Sequence, residues 1–344
     1  MQTKGFRFWR AKEFVIFVVL VIICAIVTIV NPVFIHPSNL MDILLTNTVL
    51  GMMALGMLVV ILTGGIDVSV GAIIATVTMI VGNFLAHVSG NLLLAFLVGA
   101  GSGAALGLMN GLLIAKLKIH AIVVTLGTMS IIYGVMFLLT GGEWVTQEHI
   151  PEGFKSFGRI VFGHVKTTSG GTTGLPVQFL FLVAAVMVTW ALLRYTMFGR
   201  GVYALGGNRI SAERAGFRID RIIVLVYLFE GILIGFAGVV HTSIMRQVDP
   251  NAFNGFELQV IAAVVLGGTS ILGGTGSVLG AILGVALIAV LNNGLILMRV
   301  SSYWQQIVIG LVIVAAVSTD IVQKQRAEAR KTRVDVEITE GARS

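Results

Sequence analysis

Long apolar stretches without a single charged residue dominate this sequence. Stretches that lack Asp, Glu, Lys and Arg altogether lie at residues 14–30, 43–66, 68–115, 119–142, 167–193, 258–298 and 300–319. A helix that crosses a bilayer needs roughly 20 apolar residues, so these lengths predict membrane-spanning helices. The stretches 68–115 and 258–298 are long enough for two helices each, with breaks at residues 87–91 and at the glycine-rich segment 267–276.

One further crossing is predicted at about 222–242, in a stretch that contains Glu230. The pattern therefore predicts an all-α integral membrane protein with about ten transmembrane helices. Composition agrees, because 56% of the residues are hydrophobic and only 11% are charged, whereas soluble domains carry about 25% charged residues. The apolar stretch at the N-terminus has no small-residue cleavage pattern after it, so we interpret it as a first span that is not removed.

The distribution of Lys and Arg predicts that both termini are cytoplasmic. Cytoplasmic loops of membrane proteins carry an excess of these residues. With both ends inside, 18 of the 23 basic residues fall on the cytoplasmic side, six of them between Arg194 and Arg221. The net charge of +7 is thus a topology signal, and it gives little support for nucleic-acid binding.

The predicted organisation is a single transmembrane domain over residues 1–322, followed by a charged cytoplasmic tail at 323–344. Within the domain we expect an extracytoplasmic loop at about 141–176 and a cytoplasmic loop at about 194–221. The outer loop either folds over the pore mouth, receives a partner, or is a solvated connector. Runs of small residues such as 99–105 (GAGSGAA) predict close packing between helices.

Many familiar catalytic patterns are missing. No Gly-Lys dipeptide occurs in the sequence, which excludes a phosphate-binding P-loop. The six histidines include no i, i+4 pair, and the single Cys24 cannot form a cysteine metal cluster. We therefore expect no enzyme activity, no cofactor and no metal site in this chain.

Two acidic residues fall inside apolar stretches and are candidates for function, because such acids are costly in a membrane unless paired or hydrated. Asp67 follows a helix break at 63–66 and comes shortly before Ser69. These two residues either shape a pathway through the membrane or cap the following helix. Glu230 either makes a buried hydrogen bond to another helix or couples the movement of an ion.

The cytoplasmic segment 198–216 (FGRGVYALGGNRISAERAG) carries a further local pattern. Gly206 and Gly207 predict a turn, Asn208 predicts a helix N-cap, and a short polar helix is expected to end near Gly216. Such a helix beneath the membrane transmits motion from a soluble partner to the spans. The alternative is that its basic residues only fix the topology.

Two segments share a pattern, since residues 62–73 and 271–282 both place a Gly-Gly pair before a Gly-Ala-Ile triplet at the same spacing. Transporters often contain internal repeats. Glycine-rich membrane sequence also produces such coincidences, so both readings stay open.

Four ordered blocks of the sequence resemble the ribose-type family of sugar permeases from bacterial ATP-binding-cassette importers. The resemblance covers about residues 40–320. The blocks are 62–71 (LTGGIDVSVG), 110–118 (NGLLIAKLK) with 124–128 (VTLGT), 199–208 (GRGVYALGGN), and 255–269 (GFELQVIAAVVLGGT) continuing through 291–294 (LNNG).

The resemblance implies a permease in the bacterial inner membrane that dimerises with a second copy or a paralogue. It also implies separate ATPase subunits and an extracytoplasmic binding protein that delivers a monosaccharide or similar small polar solute. The alternative is an ion-coupled secondary transporter without an ATPase, with Asp67 or Glu230 as the coupling acid. Glu230 departs from the family pattern, in which a neutral residue is expected at that point.

The resemblance also assigns residues. The ATPase-coupling residues are expected to be Gly199, Arg200, Tyr203, Gly206, Gly207, Asn208, Ala212 and Gly216. The residues of the translocation pathway are expected to be Asp67, Ser69, Asn110, Thr125 and Asn293.

Overall fold

The computed structural model describes residues 12–166 and 172–301 and, after these, residues 303–308, 310, 311, 314 and 318. The helices are α1 (Lys12–Val30), α2 (Pro37–Leu62), α3 (Val70–His87), α4 (Leu92–Leu117), α5 (Ala121–Thr140), α6 (Glu152–Phe157), α7 (Val177–Tyr195), α8 (Met197–Gly207), α9 (Arg209–Arg214), α10 (Ile219–Met245), α11 (Phe256–Leu266) and α12 (Val278–Leu297). Two strands, β1 (Val161–Lys166) and β2 (Thr172–Pro176), form an antiparallel hairpin. On the predicted orientation α8 and α9 are cytoplasmic, and we use inner and outer in that sense.

Among the described residues, 8 helices are long and apolar enough to cross a membrane: α1–α5, α7, α10 and α12. The predicted break inside the stretch 68–115 is present, since α3 ends at His87 and α4 begins at Leu92. A side chain caps α4 where it follows this break. Asn91 accepts a hydrogen bond from the N–H of Leu94 at 3.2 Å. The predicted all-α membrane fold is confirmed.

Helix α10 lies at the centre of the fold, where it packs against α2, α3 and α4. Its contact with α4 is made by glycines spaced four residues apart on both helices. A Cβ on Gly103 of α4 would overlap the carbonyl oxygen of Gly231 of α10, and a Cβ on Gly107 would overlap the carbonyl oxygen of Tyr227. The two backbones are therefore in direct contact, as the run of small residues predicts.

This contact gives a test of how the membrane domain is held together. The variant Gly103→Ala is expected to destabilise the protein by about 1–3 kcal/mol, because the added methyl group forces α4 and α10 apart. Gly101→Ala is the matched control, since nothing lies within 4 Å of a Cβ at Gly101. The melting temperature in detergent measures the difference, and equal melting of the two variants would contradict the packing argument.

The stretch 258–298 does not contain the two full helical spans predicted for it. Helix α11 has 11 residues, which is about 16 Å at 1.5 Å per residue. The apolar core of a bilayer is about 30 Å thick. Pro250 and Gly255, whose φ is +79°, lie on the outer side of α11 and stop the helix from extending in that direction. The prediction of a full helical span at α11 is therefore wrong.

An irregular segment, residues 246–255, completes the crossing that α11 makes only in part. Val248 of this segment pairs with Val145 of the outer loop. Beyond the other end of α11, the N–H of Gly274 donates to the carbonyl oxygen of Leu62 at 2.9 Å, where α2 meets α8. The chain thus runs from the outer to the inner side between Val248 and Gly274. Irregular backbone at membrane depth must be enclosed by protein or line a water-filled space.

The outer loop predicted at 141–176 packs against the membrane domain. Phe154 is fully buried, and α6 contacts α10. The ring of Phe181 on α7 stacks on Phe96 of α4 at a centroid distance of 4.9 Å, and Phe157 meets Phe181 edge to face at 6.0 Å. A merely solvated connector would not bury these rings, so that alternative is wrong. The expectations that the loop covers the pore mouth or receives a partner stay predictions.

The described residues divide into two compact units, one ending at Val300 and the other beginning at Ser301. The tail predicted at 323–344 and eight residues of the last predicted span, 300–319, lie outside the described residues.

Candidate coupling surface and buried polar cluster

Two capped helices form the segment for which the sequence predicts contact with a soluble partner. Thr196 caps α8 by accepting from the N–H of Gly199 at 3.2 Å. Asn208 caps α9 by accepting from the N–H of Ser211 at 2.8 Å. Helix α9 ends at Arg214, so the predicted N-cap and the short polar helix that follows it are both confirmed.

The turn predicted at Gly206 and Gly207 is wrong, because α8 continues through both residues. Gly206 instead allows the backbone of α8 to contact the backbone of Leu62 and Gly274 closely. A Cβ at this position would overlap the carbonyl oxygen of Leu62 and would lie 2.5 Å from the nitrogen of Gly274. No side chain fits there, so the glycine lets α8 press its backbone against the ends of two other segments.

We call this meeting point of Gly64, Gly206, Gly273 and Gly274 the glycine junction. A Cβ on Gly273 would lie 2.8 Å from the nitrogen of Gly64 and 3.1 Å from the Cα of Gly206. The segments joined here are the two that share a sequence pattern, 62–73 and 271–282. Each places its glycine pair just before a helix, α3 in one case and α12 in the other.

Tyr203 adds a hydrogen bond beside the glycine junction. Its hydroxyl donates to the carbonyl oxygen of Gly276 at 3.0 Å. Partial burial raises the pKa of the Tyr203 phenol above its ordinary value, so the hydroxyl keeps its proton and remains a donor at neutral pH. Helix α8 is thus attached to the segment between α11 and α12 by a side chain as well as by backbone contact.

The eight predicted coupling residues divide between two faces. Those that are buried or half-buried against the protein are Gly199, Tyr203, Gly206 and Ala212. Those that are exposed are Arg200, Gly207, Asn208 and Gly216. The exposed face of α9 also carries Ile210, an apolar side chain that is 62% exposed. The sequence reasoning did not select Ile210, although an isoleucine among polar residues of a short helix was the available signal.

A polar recess with a volume of about 630 Å³ lies beside α9. It is lined by Lys118, Arg209, Glu213, Phe217, Arg218, Ile219, Asp220 and Arg221. Four of these side chains are basic, so the recess favours an acidic group on a partner.

Four of the five predicted pathway residues meet in one place. Asp67, at the break between α2 and α3, accepts hydrogen bonds from the N–H and the hydroxyl of Ser69 at 2.7 and 2.6 Å. Asn110 of α4 donates to Asp67 at 3.3 Å and to the Ser69 hydroxyl at 2.8 Å. Thr125 of α5 accepts from the N–H of Val68 at 3.1 Å. We call Asp67, Ser69, Asn110 and Thr125 the Asp67 cluster.

The Asp67 cluster is closed to solvent, since each of its four side chains has 0% exposure. The carboxylate of Asp67 supplies acceptors for the N–H and O–H groups that the helix break leaves free. The expectation that Asp67 accepts a backbone N–H at the start of the third span is therefore confirmed. The cluster fixes the shape of the break and ties it to α4 and α5.

Glu230 of α10 lies at the edge of the same cluster. Its carboxyl group is next to that of Asp67 and near the hydroxyl of Tyr227. The Tyr227 hydroxyl has no hydrogen-bond partner within the part of the chain that the structure describes. Glu230 interacts with the carboxyl group of Asp67 in the break between α2 and α3, and the expected hydrogen bond from Glu230 to another helix stays a prediction. A Cβ on Gly65 would lie 3.1 Å from the Tyr227 hydroxyl, so this group also contacts the break.

Asn293 does not join the Asp67 cluster. It forms a reciprocal amide pair with Asn39, with N···O distances of 3.0 and 2.8 Å. Asn39 lies in the first turn of α2, while Asp67 follows the last turn, and α2 is about 39 Å long at 1.5 Å per residue. Asn293 therefore lies at the opposite side of the membrane domain from the other four residues.

Comparison with known proteins now adds to this geometry. A family described as branched-chain amino acid transport system / permease component matches residues 39–317. The ribose import permease protein of Bacillus subtilis is 42% identical, over 88% of this chain and 91% of that protein. The chain belongs to this permease family. The ribose import permease protein of Escherichia coli K12 is 36% identical to the permease, over 88% of this chain and 92% of that protein.

The D-allose transport system permease protein of Escherichia coli K12 is 33% identical, over 91% of the permease and 92% of that protein. No solved structure matches. These relatives are transport permeases. The permease belongs to the same family and has long apolar helices, so it is a multi-pass protein of the bacterial inner membrane.

Proposed function

We propose that this permease carries a monosaccharide or a similar small polar solute across the inner membrane as one subunit of an ATP-binding-cassette importer. The relatives that align over about nine-tenths of both chains are named for ribose and allose import. The family description names branched-chain amino acids, which supplies the competing substrate class for the test. The observation that supports the proposal is the capped helix pair α8–α9. One face of the pair packs against the glycine junction, and the opposite face is exposed.

ATP hydrolysis is assigned to separate subunits that dock on α9. Ile210 is 62% exposed on a helix that lies outside the apolar spans. Exposed apolar side chains surrounded by polar ones are characteristic of interaction sites. The basic recess beside α9 would receive an acidic group of the same partner. The resemblance of 199–216 to the family's coupling segment supports this assignment.

The variant Ile210→Glu tests the docking surface. We expect it to weaken binding of the ATPase subunit by about thirtyfold, because removing a central apolar side chain from an interface costs about 2 kcal/mol or more. Gln147→Glu, at an exposed residue of the outer loop far from α9, is the charge-matched control. Binding of the purified ATPase to the permease in detergent is the measurement. Equal binding by both variants would remove α9 from the interface.

The route from the docking surface into the membrane is short. Movement of α8 changes the glycine junction, which begins directly after Leu62, the last residue of α2. The break from Thr63 to Ser69 then connects the junction to the Asp67 cluster. In the proposed mechanism, ATP binding closes the ATPase subunits, α8 moves with them, and the break shifts against α4 and α5. The pathway then opens to one side of the membrane and closes to the other.

The remaining partners follow from the importer assignment. An extracytoplasmic binding protein delivers the solute to the outer side, where the packed loop 141–176 offers a folded surface. A second permease, either a copy or a paralogue, completes the pathway. Helices α4 and α5 present exposed apolar faces for lipid or for this second subunit, with Leu97 and Ile131 each at least 60% exposed.

Reconstitution in vesicles tests the whole proposal. The permease is incorporated with the ATPase and binding protein encoded by neighbouring genes, and uptake of labelled ribose, allose and leucine is followed. We expect uptake of a sugar that requires ATP and both partners. Uptake of leucine alone would overturn the sugar assignment. Uptake by the permease alone on a proton or sodium gradient would establish the ion-coupled alternative, which the comparisons do not favour.

A further inference from the structure

Glu257, in the first turn of α11, lies near the middle of the membrane. Its Oε2 atom is 2.6 Å from the position that a Cβ would take on Gly71, in the first turn of α3. Near the outer end of α3, Gly82 meets Val145 and Val248 of the outer bridge in the same way. Gly71 and Gly82 are about 16 Å apart along the helix, which is about half of the apolar core.

The Glu257 side chain is only half-buried. Within the part of the chain that the structure describes, no Lys, Arg or His forms an ion pair with it. An acidic group at this depth cannot face lipid tails without a large cost, so it must face protein or a water-filled space. The Asp67 cluster is closed, whereas the face of Glu257 is open. The open face therefore marks the side of α3 along which a polar solute can pass.

Tyr133 of α5 approaches the same point from the other side. Its hydroxyl oxygen is 3.6 Å from the Cβ position of Gly71. This hydroxyl is buried and has no hydrogen-bond partner among the described residues. The ring of Tyr133 is parallel to that of Phe137 at a centroid distance of 6.2 Å. A carboxylate, an unpaired phenol and an aromatic face thus surround Gly71, where a Cβ would lie 2.6 Å from the Glu257 carboxylate and 2.9 Å from the carbonyl oxygen of Phe253.

We propose that Glu257 and Tyr133 form a binding point for sugar hydroxyl groups half-way through the membrane, an inference that rests on the proposed sugar import. The carboxylate accepts hydrogen bonds from two neighbouring hydroxyls of a sugar, and the phenol both donates and accepts. Sugars also present an apolar face of C–H groups, which packs on aromatic rings such as that of Tyr133. Glu257 and Tyr133 are thus binding residues of the pathway, and the Asp67 cluster is the structural support behind them.

Thiol labelling tests whether Glu257 faces water. Cys24 is the single cysteine, so Cys24→Ser gives a cysteine-free background for Glu257→Cys and Ile131→Cys. Ile131 is 61% exposed on α5 and, two residues before Tyr133, lies on nearly the opposite side of that helix. A charged thiosulfonate that does not cross membranes reacts with the thiolate, which forms in water. In the complete importer, we expect labelling at residue 257 and none at residue 131. Absence of labelling at residue 257 would overturn the proposal.

Uptake measurements test whether the two residues bind the sugar. We expect Glu257→Gln to lower ribose uptake by about tenfold to a hundredfold, the range for losing a hydrogen bond to a charged group. Tyr133→Phe should lower uptake by a smaller factor. Asp42→Asn, at an exposed residue of α2, is the control and should transport normally. The melting temperatures of all variants are compared. If Glu257→Gln lowers the melting temperature, the labelling at residue 257 is the test of the proposal.

The two proposals fail in different ways. If the unmodified importer takes up ribose with ATP and Glu257→Gln does so at the same rate, the binding point is refuted and the importer assignment stands. If the unmodified importer takes up no sugar, the importer assignment itself is refuted.

Discussion

Gly206→Ala is expected to lower solute uptake by at least tenfold while the protein still inserts in the membrane. The added methyl group overlaps the carbonyl oxygen of Leu62 and approaches the nitrogen of Gly274, so α8 must move away from the glycine junction. Such overpacking costs about 1–3 kcal/mol, and 1.4 kcal/mol corresponds to a tenfold change in the population of the docked arrangement. Uptake and ATP hydrolysis are measured together in reconstituted vesicles.

Gly207→Ala is the matched control, because nothing lies within 4 Å of a Cβ at this neighbouring residue. It should transport at close to the normal rate. In Gly206→Ala we expect ATP hydrolysis to continue without stimulation by the solute-loaded binding protein. Normal stimulation and normal uptake in Gly206→Ala would show that the contact between α8 and the inner ends of the spans does not carry the coupling.

Asp67→Ala is expected to abolish uptake and to lower the melting temperature. The change leaves the N–H and hydroxyl of Ser69 without their acceptor and removes one of the two acceptors of Asn110. Each buried donor without a partner costs about 1–3 kcal/mol. The break between α2 and α3 then loses the shape that links the glycine junction to α4 and α5.

Asp42→Ala provides the comparison for this variant, because Asp42 is exposed in α2 and its removal leaves no buried donor. Uptake and melting temperature should both stay close to normal in Asp42→Ala. Should Asp67→Ala transport its solute at the ordinary rate, the proposed path of motion from α8 through the break would be wrong.

The apolar pattern predicted most of the crossings because each long helix is apolar along its whole length, whether it faces other helices or the lipid. It failed at α11, where residues 246–255 are as irregular as a surface loop yet lie between an outer contact at Val248 and an inner contact at Gly274. Hydropathy alone does not distinguish a full helix from a short helix plus turns. Pro250 and Gly255 were the available signals, and they stood just outside the charge-free stretch.

The candidate site was predictable where its residues sit beside a helix break, and not where tertiary contact alone assembles it. Asp67 and Ser69 are neighbours in sequence, so their hydrogen bond could be anticipated. Asn293 was assigned to the pathway with them through the family resemblance, although the length of α2 separates the two places. Glu257 directly precedes the charge-free stretch 258–298, and the sequence analysis did not select it.

The short helix α11 is connected both to the outer loop and to the inner helix α8. Its outer lead-in is tied to the folded loop through Val145 and Val248. Its inner continuation is tied to α8 through Tyr203 and Gly276. A binding protein that docks on the outer side and an ATPase that closes on the inner side would therefore act on opposite ends of one 11-residue helix. Solute delivery and ATP binding would then both change the position of α11.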